Sequence, residues 1–148
     1  MFIKDAGIED IQLWASMRTK LWPTSVGQHI GELQEYFDGN SIDIEQAYLL
    51  FSKEKQAIGF IELNIREFAE GSRHPRVPYV EAWFVEQAFQ SAGGGTMLMT
   101  KAEMWAKGKG FNELASDTEI SNTKSILIHN KLGFIETERV VCFLKKLT

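Results

Sequence analysis

With one cysteine, three histidines and three prolines in 148 residues, the chain is short of the side chains that several common designs need. Cys142 has no partner for an intrachain disulfide, and a cysteine-based zinc site would need several thiolates. His29, His74 and His129 are far apart and show no ligand spacing, so no metal is expected. Long apolar runs are missing too. None much exceeds Val140 to Leu144, far below the about 20 apolar residues of a membrane-spanning helix. Met1 to Asp10 lack the basic start and apolar stretch of a secretory signal, so a cytoplasmic protein is expected. No low-complexity tract, solenoid repeat or Pro/Ser linker interrupts the chain, which is expected to form one domain over residues 1–148. A basic surplus is also absent: 16 Lys+Arg stand against 20 Asp+Glu, a net charge of −4. That balance argues against duplex nucleic acid or an anionic membrane as partner and favours a cationic small molecule.

What is present suits an ordinary folded domain, since 44% of the residues are hydrophobic and 24% charged. A chain of this length buries enough surface to need no covalent staple. Phe2 to Lys4 reads as a short strand. Ile8, Ile11, Trp14, Ala15, Met17 and Leu21 recur at helical spacing until Trp22-Pro23 stops the pattern. Val26, Ile30, Leu33 and Phe37 give a second helix, closed by Asp38-Gly39-Asn40. Residues 47–52 and 57–68, rich in β-branched and aromatic side chains, flank Lys53 to Gln56 and predict an antiparallel hairpin. After a loop over 70–78, Tyr79 to Val85 predicts a strand with Tyr79, Glu81, Trp83 and Val85 on one face. A glycine-rich turn then opens a helix ending at Gly108 or Gly110. Phe111 to Ser116 reads as a strand, Ser121 as the cap of a helix through Leu132, and Phe134 to Leu147 as a last extended segment. The order β-α-α-β-β-β-α-β-α-β is that of a mixed α/β domain.

Gln90-Ser91-Ala92-Gly93-Gly94-Gly95 sits between a strand and an amphipathic helix. Glycines let the backbone come close to a bound group, and the orphan amides of a helix start attract an anion such as phosphate. The alternative is a flexible turn that needs glycine for its shape. The Lys-Ser/Thr of a P-loop is missing, as is a dinucleotide fingerprint in a first βα turn.

Gln90, Gly93 and Gly95, as Q-x-x-G-x-G after a strand, resemble motif A of the GNAT superfamily of N-acetyltransferases. The helix carrying Asn122 and the Asn130 to Phe134 segment (NKLGF) resemble that superfamily's later block. The resemblance covers nearly the whole chain and implies a GNAT-like fold: a mixed, mostly antiparallel twisted sheet flanked by about four helices. A narrower similarity, to the aminoglycoside 6'-N-acetyltransferases, is carried by Leu21-Trp22, Ile65-Arg66, Val80 to Val85, Ala115 to Asp117, Leu132 to Glu138 and Val140 to Lys146.

This resemblance implies acetyl-CoA as acetyl donor, held by Val85, Gln90, Gly93, Gly94, Gly95, Thr96 and Asn122. It implies an acceptor pocket with Trp22 as a wall and Asp117 and Glu136 or Glu138 as cation-binding carboxylates, with Glu81 as the base that deprotonates the attacking amine. Two departures stand out: Cys142 occupies a place where the family often has a tyrosine that could protonate the departing thiolate, and Gln90 stands where motif A usually begins with arginine. A different amine acceptor (polyamine, peptide or small metabolite) and a non-enzymatic acyl-CoA-binding module are the rival readings. Relatives are commonly dimers, and an apolar strand Arg139 to Leu144 needs a partner to protect its edge, so a homodimer is expected.

Read without the resemblance, Asp117 is a turn residue, and Glu136 and Glu138 are exposed positions on a strand. Glu81 stands apart, because a carboxylate among strand aromatics needs partners or a task. Trp14 and Trp105 read as core, and the three histidines as ordinary surface or loop residues.

Overall fold

A computed structural model describes residues 1–148. Five strands, β1 (Phe2–Asp5), β2 (Gln46–Phe51), β3 (Ala57–Arg66), β4 (Val77–Val85) and β5 (Ala115–Ser116), form one sheet in that order. The first four pair antiparallel and β5 joins β4 in parallel, at Tyr79↔Ala115 and Val80↔Ser116 only. Four α-helices flank the sheet: α1 (Ile11–Leu21), α2 (His29–Phe37), α3 (Gly94–Gly108) and α4 (Thr123–Lys131). This is the expected mixed, mostly antiparallel α/β architecture. Alternation along the hairpin β2–β3 sends Ala47, Leu49, Phe51 and Phe60 to the side of α1 and α2, where Trp14, Met17 and Leu33 meet them. Tyr48, Leu50, Ile58, Ile61 and Leu63 face the other way, against Leu98, Met99 and Ala102 of α3.

Several elements differ from the sequence expectation, each for a physical reason. Helix α2 begins at His29, because Pro23 to Gln28 forms a separate 3-10 turn. That break resets the helical phase, and His29, expected on the open face, is buried at 2% exposure. Asn122, not Ser121, caps α4, its side-chain oxygen accepting the Ser125 N–H at 3.1 Å. The strand expected over 111–116 is two residues long.

On β4 the register with β3 passes from Leu63↔Val80 to Glu62↔Ala82, so Glu81 is the extra residue of a β-bulge. The bulge interrupts alternation. Val80 joins Trp83 and Val85 in the α3 cluster, while Tyr79 packs with Ala69 and Val77; the single face expected for Tyr79, Glu81, Trp83 and Val85 does not form.

The last extended segment also departs from expectation. Residues 135–148 pair with no strand and are exposed throughout, with Phe143 and Leu144 at 91%. Its apolar pattern suits a sheet, but a single copy ends its sheet at the two-residue β5.

Candidate active site

The sheet opens where β4 and β5 part. Beyond Val80 no strand pairs with the outer edge of β4, and the chain leaves β5 at Asp117, so a crevice forms at the carboxyl ends of two parallel strands. That is where open α/β sheets commonly bind ligands. One wall is the start of α3. Gly93, at φ +90°, supplies the left-handed residue that turns a 3-10 segment (Gln87–Ala92) into the helix. The first intrahelical bond recorded there runs from Met97 N–H to Gly93 O, at 3.0 Å, leaving the preceding amides available to an anion. A Cβ on Gly95 would lie 3.3 Å from the Trp83 ring, and Trp83 Nε1–H donates to Gly95 O at 3.2 Å. Strand β4 and the helix start therefore hold each other in place.

Gln90 fixes the turn from the other side by donating to Val85 O at 3.1 Å, and Lys124 of α4 donates to Gln90 Oε1. Lys20, Phe84, Val85, Glu86, Gln87, Gln90 and Lys124 line a polar cleft of about 400 Å³. Lys20 bonds Glu86 at 2.5 Å, so two cations border the glycine turn. Neither lysine stood out in the sequence; only the fold brings them to Gln90.

The expected acceptor carboxylates fall into two groups, and Trp22 lies apart from both. Glu81, 15% exposed at its side chain, accepts from Arg66 Nε at 2.7 Å, Arg66 Nη2 at 2.6 Å and Asn64 Nδ2 at 3.2 Å. The Arg66 guanidinium lies 3.7 Å from the centre of the Tyr79 ring, and Tyr79 O–H donates to Asp117 at 2.8 Å. Glu81 and Asp117 are thus joined through Arg66 and Tyr79. The hydrogen bond to Glu81, more than any other cause, pushes the Arg66 guanidinium up, and burial followed by the Asp117 contact pushes the Tyr79 phenol up.

Glu136 and Glu138 lie apart, on the exposed C-terminal segment. Glu136 is paired with Arg139, whose hydrogen bond lowers its carboxyl below the usual range. Thr137 between them donates to Glu70 O at 3.2 Å, which lays the segment against the loop before β4.

Trp22 ends α1, its ring stacked near His29 and 5.0 Å from the Arg18 guanidinium. Behind it lies a buried network. Glu62 accepts from Arg18 Nε at 2.9 Å, Arg18 Nη2 at 3.2 Å and Trp14 Nε1 at 2.9 Å, and Arg18 also reaches Glu32 at 2.7 Å. Burial pushes the Glu62 carboxyl up, and the Arg18 and Trp14 donors oppose that shift. A glutamate within the apolar run of β3 was a visible signal for this network, and its partners 44 and 48 residues away were not. His129, expected on an open polar face, instead contacts Ser116 at 2.8 Å and packs edge-on against Trp83 and Phe134.

A glycine turn, a divergent strand pair and a helix start in this order define a recognisable scaffold. The profile of the GNAT acetyltransferase family matches residues 14–134. The chain belongs to the GNAT family. Among curated relatives, an aminoglycoside N(6')-acetyltransferase type 1 of Klebsiella aerogenes is 37% identical over 93% of this chain and 91% of its own length. One of Acinetobacter haemolyticus is 36% identical over 99% of both. The crystal structure of the aminoglycoside 6'-N-acetyltransferase AAC(6')-Ig from A. haemolyticus, without ligand, superposes with a TM-score of 0.89 at 36% identity over the whole of both chains. AAC(6')-Iy in complex with the bisubstrate analogue CoA-S-monomethyl-acetylneamine also gives 0.89, at 29% identity over 99% of this chain and 98% of that one.

As a GNAT member the chain is an acetyltransferase with acetyl-CoA as donor. No cluster of His, Cys, Asp and Glu in the structure has metal-ligand geometry, and no helix is long and apolar enough to cross a membrane.

Proposed function

We propose that this chain transfers the acetyl group of acetyl-CoA to the 6'-amino group of an aminoglycoside, by direct attack within a ternary complex, and so confers resistance to the drug in the bacterial cytoplasm. The observation that carries this reading is the joined pair of carboxylates, Glu81 and Asp117, beside the crevice of a chain so similar to aminoglycoside enzymes over its whole length. The amides of Gly94, Gly95 and Thr96 hold the pyrophosphate of acetyl-CoA, with Gln90 keeping the turn in shape and Asn122 presenting the start of α4 to the cofactor. The unpaired edge of β4 from Glu81 to Val85 offers amides to the thioester carbonyl, where they stabilise the oxyanion of the tetrahedral intermediate.

The attacking amine must be neutral. Glu81 takes its proton, directly or through a water, and the resulting amine adds to the thioester carbon. Collapse of the intermediate breaks the C–S bond and releases CoA as thiolate, which is then protonated from solvent or from the acceptor nitrogen. Asp117 and Trp22 hold the rest of the acceptor, the first by charge and the second by its ring face. Glu136 and Glu138 add negative charge when the C-terminal segment is brought over the pocket.

The apolar segment Val140 to Leu147 supports a homodimer in which each copy lays this segment on the other's sheet edge at β5, covering the residues that one copy leaves in water. A panel of aminoglycosides, polyamines and peptide amines incubated with acetyl-CoA, with thiol release as the readout, tests the function. Release confined to drugs with a free 6'-amine supports it. Turnover only of polyamines or peptides overturns the acceptor, and no turnover of any amine overturns the enzyme.

A further inference from the structure

The acceptor site of this chain is already occupied by a cation of its own. Arg66, the last residue of β3, lays its guanidinium between the Glu81 carboxylate and the Tyr79 ring, with both nitrogens of its fork on the carboxylate. A carboxylate facing an aromatic ring is the environment that binds an alkylammonium group. An incoming acceptor ammonium and Arg66 therefore seek the same place. We propose that Arg66 is a specificity-determining residue, a resident cation that the acceptor must displace from Glu81 and Tyr79 before it is bound in a reactive position. This inference rests on the reading that Glu81 belongs to the acceptor pocket.

Three features make displacement feasible and give it a consequence. The Arg66 side chain is 39% exposed and is followed directly by the loop Glu67–Arg76, so the guanidinium can turn into water without losing a buried position. Asn64 Nδ2, which also donates to Glu81, stays and keeps the carboxylate oriented while the charge is exchanged. With Arg66 in place, three N–H groups fill lone-pair positions on Glu81 and leave little capacity to accept a further proton. Departure of Arg66 frees that capacity when the amine arrives. A weakly charged amine gains too little from the site to evict a two-pronged, ring-stacked guanidinium, whereas a polycation gains from Asp117 as well. The arrangement thus selects acceptors by charge, and the apparent affinity is lowered by the fraction of molecules in which the seat is taken.

The test is equilibrium binding of neamine to the full-length protein saturated with CoA, by calorimetry, for wild type, Arg66→Met and Arg66→Lys. Removing the competitor should tighten neamine binding at least about fivefold in Arg66→Met, the combined scale of a bidentate ion pair and a ring contact. Arg66→Lys, which keeps charge but loses the fork, should fall between. Added methylguanidinium should compete with neamine in Arg66→Met and leave wild type unchanged, a signature that a purely structural arginine would not produce. Unchanged or weaker neamine binding in folded Arg66→Met, or restored binding on adding methylguanidinium, overturns the inference. Should Arg66→Met not fold, Arg66→Lys decides alone: tighter binding than wild type supports displacement, equal or weaker binding overturns it. Glu81→Gln separates the premise from the inference. If neamine affinity ignores that change, Glu81 is outside the pocket and the premise fails. If Glu81→Gln weakens neamine while Arg66→Met does not tighten it, only displacement fails.

Discussion

Arg18 and Glu62 form a buried ion pair beneath the Trp22 ring, at 5% and 1% exposure, and removing one partner alone should be more damaging than removing both. In Arg18→Met the Glu62 carboxylate, 1% exposed, keeps a single donor, the Trp14 indole N–H at 2.9 Å. Breaking such a pair costs about 3–5 kcal/mol. Domain stabilities run to about 5–15 kcal/mol, so Tm should drop by roughly 6–20 °C for a chain of this size. Glu62→Leu leaves Arg18 with Glu32, which is half-exposed and screens the remaining charge only in part.

In the double variant Arg18→Met/Glu62→Leu neither buried charge remains. Its chief residual cost is the Trp14 N–H left without an acceptor, about 1–3 kcal/mol, partly offset by apolar contacts in the same volume. Urea unfolding at constant m-value, arranged as a double-mutant cycle, reads these differences directly. The expected coupling is at least about 2 kcal/mol, with the double variant more stable than Arg18→Met. Arg18→Met should also raise the acceptor KM, since the guanidinium under the Trp22 ring is lost, and leave the acetyl-CoA Kd alone. Additive losses in the cycle would refute the account of the network as one charge-balanced unit.

Gly93→Val places a β-branched residue at φ +90°, and Gly95→Val drives its methyls into the Trp83 ring 3.3 Å from the Cβ; both should raise the acetyl-CoA Kd by tenfold or more in fluorescence titration while the far-UV spectrum stays native. Asp117→Asn should raise the aminoglycoside KM more than it lowers kcat, with a shallower salt dependence than wild type, because exposed charge contacts are screened over roughly 8–10 Å near physiological ionic strength. Glu81→Gln should lower kcat by ~10²- to 10⁴-fold if the carboxylate removes the amine proton, and wild-type turnover in that variant would leave it no catalytic part. Phe143→Asp with Leu144→Asp should halve the molar mass measured by light scattering, since these side chains are the ones a second copy would cover.

What the sequence made legible was whatever short-range chemistry decides. The hairpin β2–β3 followed from its β-branched and aromatic runs, the end of α1 from Trp22-Pro23, and the start of α3 from three glycines. The pieces it hid depend on groups far apart in the chain. Nothing local marks Glu81 as a bulge residue, because a bulge is a mismatch of count between two strands. Nothing marks Arg66 as its partner, because their 15 residues of separation include a loop whose path only the fold sets. The burial of His29 is hidden for a different reason: periodicity counted from Val26 assumes a continuous helix, and the 3-10 turn before His29 shifts the phase. The C-terminal segment keeps a strand's pattern without a strand's partner, and pattern alone cannot say from which copy a partner comes.

The bulge at Glu81 ties these observations into one mechanism. An extra residue on β4 changes which side chains the strand presents on either side of it: above, Trp83 and Val85 pack toward the glycine turn, and below, Tyr79 turns toward Arg66 and Asp117. Without it, strict alternation would set Tyr79 on the same face as Trp83 and Val85, inside the α3 core, and the phenol could not reach Asp117 from there. In the function we propose, one inserted residue therefore lets a single strand serve both substrates, one half beside the glycine turn and the other beside Arg66 and Asp117. Glu81 is the residue at the change of phase, next to the edge that β5 no longer covers. The mechanism we propose needs a proton acceptor between amine and thioester, and the bulge sets Glu81 between the residues that face the glycine turn and those that face Asp117.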